Sequence, residues 1–476
     1  MRFLRWAAVL IGVLAAAGVV AYWGLGIQPR LDGTGTPRLR QVRSAVDQAR
    51  IVETHRATQK KAPAAVTADG SSSAPPAASP APPESTRPRP HGYWLGFRGP
   101  ARDGHYREQR ILTSWPAEGL TPMWKLPVGG GYASFAVADG RAFTIEQRRD
   151  QEVVAAYDVD SGRELWTHGW PAEFREWMGG DGPRATPTWA DGRIYALGAL
   201  GELRCLDAVT GRPLWRVNIL EDAGASNLQW GMAASPLVYD NFVVVLPGGP
   251  AGRSVVAYDR TSGERRWSSL DDKQAYSSPM LVTLNGRRQL LVVTGTRVVS
   301  LVPESGALLW DFPWRTNNDI NASQPVVIGD RRVLLSSSYG HGAAVIEVNE
   351  EDGRFSAREI WAHTRLKNRF SSSVLHEGFI YGLDENVLTC LDAATGEVKW
   401  KASRYGHGQF VLAQGHLIVL SEEGEIALVR ANPSRHEELV RFPVLDGKTW
   451  NHPAIDGGIL LVRNLAEMAA FDLRIR

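Results

Sequence analysis

The chain has 476 residues, a net charge of +2, 43% hydrophobic residues and only two cysteines. That balance points away from a nucleic-acid binder, and two cysteines offer no disulfide framework. With 48 glycines and 28 prolines, the bulk reads as an all-β protein dense in turns.

Charge is divided unevenly along the chain. Residues 1–90 carry 12 Lys/Arg against 5 Asp/Glu, and the remainder 41 against 46. Residues 7–27 are an uncharged apolar run, long enough to span a bilayer as a helix, with Tyr22 and Trp23 near its end. The run continues well past the small residues 15–17, so 1–28 is expected to be an uncleaved transmembrane signal anchor. The rest of the chain would then lie on the extracytoplasmic side, membrane-anchored. Residues 29–90 read as a flexible linker in two parts. The first, 38–61, is basic with modest helical spacing (Leu39, Val42, Val46, Ala49). The second, 62–90, is rich in Ala, Pro and Ser with eight prolines, a composition that cannot bury a core. Residues 91–122 follow as a lead-in containing WLGFRGPARDG, expected to pack on the next domain without adding a repeat.

From residue 123 one unit recurs: a strand, a turn with Asp and Gly, and a short strand ending in Trp. The copies are VVAAYDVDSGRELW (153–166), LRCLDAVTGRPLW (203–215), VVAYDRTSGERRW (255–267), VVSLVPESGALLW (298–310) and LTCLDAATGEVKW (388–400), with a looser AVIEVNEEDGRFSAREIW (344–361). The Asp side chain can bond nearby backbone, and Gly tolerates positive φ, so the centre is a hairpin. Trp124, Trp166, Trp215, Trp267, Trp310, Trp361 and Trp400 recur every 39–52 residues, a period that means propeller blades or a similar array. Before each hairpin lies an inner-strand step, at Ser134, Thr186, Ser235, Ser278, Gln324, Ser373, Phe410 and His452, which makes eight units. Phe442 replaces Trp in the seventh, and the eighth lacks a fourth strand. The sequence therefore predicts an all-β, eight-bladed β-propeller of four-stranded antiparallel blades over 123–476, with residues 123–128 completing the C-terminal blade.

These units, together with the lead-in, resemble the PQQ-like (quinoprotein alcohol dehydrogenase-like) β-propeller repeat family. The resemblance covers most of 93–476 and implies the propeller fold. It implies no single activity, because the family includes both dehydrogenases and non-catalytic docking scaffolds. Quinoprotein dehydrogenases hold PQQ beneath a vicinal disulfide and coordinate calcium through a Glu/Asn/Asp set. Here Cys205 and Cys390 are not adjacent; they occupy equivalent places in two repeats and read as core residues. PQQ as a cofactor is thus implied by resemblance only, and no catalytic residue carries over. The repeat-only members include an outer-membrane assembly lipoprotein, from which this chain departs in lacking a lipobox cysteine.

In such a fold the long loops share one face. There Tyr132, Asp181, Arg184, Trp230, Asn321, His341, Arg369, His407 and Trp450 are expected to gather at the channel mouth as ligand-binding candidates. His341, His407 and His452 lie on different blades with no carboxylate tied to them by spacing, and no metal site is expected. The reading is a membrane-anchored interaction or ligand-binding platform, with a protein partner on the loop face and no nucleic acid. The alternative is a PQQ-dependent oxidoreductase lacking the vicinal disulfide.

Overall fold

The computed structural model describes residues 27–31, 37–41, 44–61 and 93–475. Eight antiparallel four-stranded blades follow one another round a ring. The second is typical, running from its inner strand Thr188–Ala190 through Arg193–Leu197 and Glu202–Asp207 to the outer Pro213–Asn218. In the seventh, the two-residue strand His105–Tyr106 adds in parallel to the inner edge of Gln409–Ala413. The expected apolar anchor lies outside the described residues except for Ile27, which opens the short strand Ile27–Leu31 paired with Pro37–Gln41. Among the described residues no helix is long and apolar enough to cross a membrane.

The hairpin motif explains how each blade is tied to the next. Asp207 Oδ1 accepts the amides of Val209 and Thr210 and the Thr210 hydroxyl, and Asp392 does the same for Ala394 and Thr395. The Trp of the preceding blade lies on this turn and donates its indole N–H to the carbonyl just after the Asp. Trp124 reaches Val159, Trp166 reaches Ala208, Trp215 reaches Arg260 and Trp361 reaches Ala393, at 2.9–3.2 Å. The turn glycine is where the ring rests. A methyl on Gly211, Gly263 or Gly396 would come within 2.8 Å of the Trp ring atoms. So the T-G…W pairing joins two blades, and the glycine is needed for close approach as well as for its positive φ. Only Trp124 and Trp310 among the seven are fully buried; the others are half-covered at the blade edges. Trp267 has no acceptor, because the Tyr239 hydroxyl already donates to the corresponding Pro303 carbonyl. Phe442 takes the Trp role in the seventh blade against Gly119 of the lead-in, with Trp115 edge-on to it at 6.1 Å.

Ring closure is as the sequence predicts. Trp124–Pro127 pairs antiparallel with Glu467–Asp472, Trp124 opposite Ala470 and Pro127 opposite Glu467. The first and last segments of the propeller thus share one blade, and no open sheet edge remains at the seam.

The basic stretch read as linker differs from expectation. Ala45–Lys61 is a helix packed over that seam, with Ala49 and Val52 fully buried. Gln48 Nε2 donates 2.8 Å bonds to the Val128 and Ala466 carbonyls, while Arg56 reaches the Pro127 carbonyl and the Glu164 carboxylate. Glu53 pairs with Arg149. The helical spacing was visible in the sequence, but the apolar face is only two small residues wide. The docking is carried by polar side chains capping seam carbonyls, which no hydrophobic periodicity signals.

Candidate functional site

The inner-strand steps form a relay round the axis. The Ser134 amide donates to Thr186 Oγ1, the Thr186 amide to Ser235 Oγ, the Ser235 amide to Ser278 Oγ, the Ser278 amide to Gln324 Oε1 and the Gln324 amide to Ser372 Oγ. Each step pairs one blade with the next, which is why small hydroxyl or amide side chains recur there.

Inside this collar the lead-in fills the channel. Trp94 is fully buried, and the Tyr93 and Trp94 amides donate to Asp456 Oδ1. Arg98 donates to the Ser372 and Ser373 carbonyls on the sixth blade and lies 3.3 Å from His452 Nε2 on the eighth. Arg102 donates to the Ser235, Pro236 and Pro279 carbonyls on the third and fourth. Two buried guanidiniums therefore brace the ring across its diameter, satisfied by carbonyl oxygens. Burial pulls Arg98 down to about 10 and Arg102 to about 9, and holds His452, beside Arg98, well below the ordinary imidazole value. The sequence expectation was only that this segment packs on the propeller; its place inside the channel is new.

Above the plug, at the loop face, lies a cavity of about 230 Å³ with Phe97 and His452 among its lining residues. Its walls include Tyr132, Trp230, Tyr276, Tyr339, Phe370 and Trp450, with Met178 and Ile320 between them. Trp450 stacks on Tyr132 at 5.3 Å and packs on Phe370 at 4.6 Å; Trp230 meets Tyr276 at 5.5 Å. Two cations complete the lining. Arg369 lies over Tyr339 and Phe370 at 5.2 and 5.6 Å, and Arg184 over Phe174 and Tyr132 at 4.6 and 5.7 Å. Arg184 donates to the Gly180 and Gly182 carbonyls of its own loop, and burial lowers its pKa from the usual arginine value. Lys448 sits 4.0 Å over the Trp450 ring at the rim. No Asp, Glu or Cys side chain is among the lining residues.

Five of the nine predicted residues, Tyr132, Arg184, Trp230, Arg369 and Trp450, line this cavity. The other four are placed elsewhere. Asp181 accepts the Glu176 amide within its loop. Asn321 is buried, donating to the Thr294, Gly295 and Trp314 carbonyls and accepting from Ser337. His341 stands edge-on to Trp314 at 4.0 Å, and His407 is buried beside Phe370. Asn321 and Asn451 mark a rule: the Asn before an inner strand spends its amide on loop carbonyls. The three histidines do not converge, since His452 is held in the plug by Arg98. Among the described residues no group of three His, Cys, Asp or Glu side chains could hold a metal. Sequence reasoning missed Phe97, Tyr276, Tyr339 and Phe370. Tyr276, Tyr339 and Phe370 each lie in a loop between strands, and Phe97 lies in the lead-in.

A closed eight-bladed ring with Trp-on-Gly blade junctions defines a β-propeller of the PQQ-like repeat class. The family model described as outer membrane protein assembly factor BamB matches residues 149–402, and the chain belongs to this family. It is 24% identical over 271 residues to outer membrane protein assembly factor BamB of Yersinia pestis, covering 52% of this chain and 63% of that protein. The BamB of Bordetella pertussis is 22% identical over 312 residues, covering 63% of this chain and 72% of the relative. Among solved structures, BamB from Moraxella catarrhalis superposes with a TM-score of 0.54 at 16% identity, covering 75% of this chain and 98% of that one. A europium-containing methanol dehydrogenase superposes at 0.60 with 13% identity, over 80% of this chain and 98% of the other; these similarities carry the fold alone.

A quinone with its calcium ion needs carboxylate or amide oxygens for the cation, and the family's enzymes add adjacent cysteines above the ring. The residues present do not fit: the cavity lining holds no carboxylate and a single side-chain amide, Gln409, and both cysteines are buried inside separate blades.

Proposed function

We propose that this chain is a membrane-tethered, extracytoplasmic docking platform that serves outer membrane protein assembly through its loop face. Family membership supports the role, since the matching relatives are named as assembly factors. The observation that carries the choice of face is the aromatic cavity. Seven aromatic residues line one concave surface, and Trp177 stands 70% exposed on the adjoining loop. Aromatic residues at the centre of a contact dominate binding energy, and Trp177 extends the aromatic surface beyond the cavity. The tether is assigned to the apolar run 7–27.

Site-specific photo-crosslinking tests the reading. A benzophenone side chain at position 177 on the loop face should capture a discrete envelope protein. The same group at 209, on the opposite turn face and replacing a Val that is 59% exposed, should not. Capture only from 209, or equal background from both, overturns it. Purified protein mixed with PQQ and Ca²⁺ is expected to show no dye-linked dehydrogenase activity; turnover there would restore the oxidoreductase alternative.

A further inference from the structure

Resting on the tether assigned in the platform reading, we infer that the loop face of the propeller lies against the surface of the bilayer that carries the chain's own anchor, so that a partner reaches the aromatic cavity along that membrane.

The direction of the docked helix decides which face is near. Gln48, in the first turn of Ala45–Lys61, bonds the carbonyls of Val128 and Ala466, which belong to the loop-face connections 128–135 and 464–466. Near the other end, Gln59 Oε1 accepts the amide of Glu164, the first residue after the turn-face hairpin 159–163. The helix therefore runs along the seam from the loop face to the turn face. Ser44, which caps its start by accepting the Asp47 amide, stands at the loop-face end. At 1.5 Å of rise per residue it is about 22 Å from Gln59.

The hairpin ahead of the helix keeps the tether short. Ile27, the last residue of the apolar run 7–27, is the antiparallel partner of Gln41. That pairing puts their Cα atoms about 5 Å apart, and the chain from Gln41 to Ser44 spans at most about 11 Å. The end of the apolar run is thus within about 16 Å of Ser44, less than the roughly 22 Å from Ser44 to the turn-face end of the helix. Without the hairpin, residues 27–44 could stretch to about 60 Å and present either face to the bilayer.

A ring tethered at one rim could still lie on its seam edge, and the exposed apolar side chains choose between the two. Trp177, 70% exposed in the loop 172–187, is the one exposed aromatic residue among the described residues. Leu200 is exposed on the neighbouring connection 198–201. The two loops meet at Gly231, where a methyl would lie within 3.1 Å of both Phe174 and Ala199. Val46 is exposed in the first turn of the helix, at the same end of the ring. A Trp side chain favours the headgroup boundary because its ring is apolar and its N–H polar. Arg175, close to Trp177 in the chain, is paired with Glu173, so apolar contact and the short tether place this face without help from charge. On the turn face the exposed Val209 is aliphatic and has no such preference.

The experiment uses the full chain in phosphatidylcholine nanodiscs with no partner present. A small fluorescent amino acid is placed at 177, 200 or 209, and part of the lipid carries a nitroxide on its headgroup, which quenches on contact. Quenching at 177 and 200 is expected to exceed that at 209 at least threefold. An insertion of about 30 Gly/Ser residues after Gln41, with an end-to-end distance of about 30 Å, should bring all three positions to a common low level. The three positions are exposed and the insertion precedes the helix, so each variant should keep the wild-type thermal transition. Equal quenching at all positions without the insertion, stronger quenching at 209, or quenching at 177 unchanged by the insertion overturns the inference. The platform reading is judged separately, by capture in cells. Contact at 177 with no captured protein leaves the orientation standing and removes the platform; capture from 177 with quenching strongest at 209 does the reverse.

Discussion

Trp215 resting on Gly263 shows what the smallest unit of this fold requires. Gly263 has φ +76°, and an added methyl would lie 2.8 Å from two ring atoms of Trp215. Gly263→Ala should therefore cost about 2–4 kcal/mol, from a left-handed backbone and an overpacked contact together. Gly286 is the control. Its φ is also positive, at +67°, but nothing lies within 4 Å of a methyl there, so Gly286→Ala should cost only the backbone part, roughly 1–2 kcal/mol. Equal losses in thermal melts of the two variants would show that the ring contact is unimportant. Glu152 gives a second residue-scale test. Its carboxyl is buried between the first and second blades, one oxygen accepting the Ala199 amide and the other lying against Gly198. Burial pushes its pKa up to about 7, with Glu202 adding to the rise and Arg184 opposing it. The folded state then holds a proton that the unfolded chain releases near 4.5, so this group's stabilisation is full below that value and lost as pH rises through 7. Glu152→Gln should flatten the fall in melting temperature between pH 5 and 8 and raise stability at pH 8. A wild-type melting temperature that climbs over that range would contradict it. The Trp and Gly positions were legible as a repeating pattern, but their contact was not, because each pair joins different repeats. Glu152 gave no signal at all, since its burial comes from a neighbouring blade.

Among the elements, the closing strand was predictable for a simple reason: seven Trp-bearing strands and a truncated eighth unit left one place to fill. The helix Ala45–Lys61 was only half legible, its spacing visible and its docking not. It touches both sides of the seam, through Val128 and Ala466 of the eighth blade and through Arg149 and Glu164 of the first. Gln48→Ala with Arg56→Ala should leave the blades folded yet raise amide exchange in Trp124–Pro127 and Glu467–Asp472 at least tenfold. Removing Arg56 also strips a buried cation from the Glu146–Arg148–Glu164 network of the first blade. Exchange confined to the helix itself would mean that it rides on the ring without holding it. Loop residues fared worst. Asn321 and His407 were chosen because polar groups on loops suggest binding, yet loop backbone buried against neighbouring blades consumes such groups first.

For the whole molecule, closure of the ring depends on the last blade. Truncation at residue 463 removes the strand that Trp124–Pro127 pairs with and leaves an exposed sheet edge on either side of a gap. Such a chain is expected to aggregate or oligomerise on a sizing column; a monomer with the wild-type melt would contradict closure by this strand. Fold class, blade number and closure were readable because repetition multiplies a weak local signal eightfold. The interior of the channel was not, because the residues that fill it, Trp94 through Gly104, occur once.

That single-copy filling has a consequence for traffic. A ring corked by its own chain, with Arg98 and Arg102 pinned to opposite walls, is a bowl and never a conduit. Whatever settles into the aromatic side must depart by the way it came, and the far rim is free to hold something else throughout. Dwell time would then be governed by one doorway, and two visitors could be hosted back to back without ever meeting.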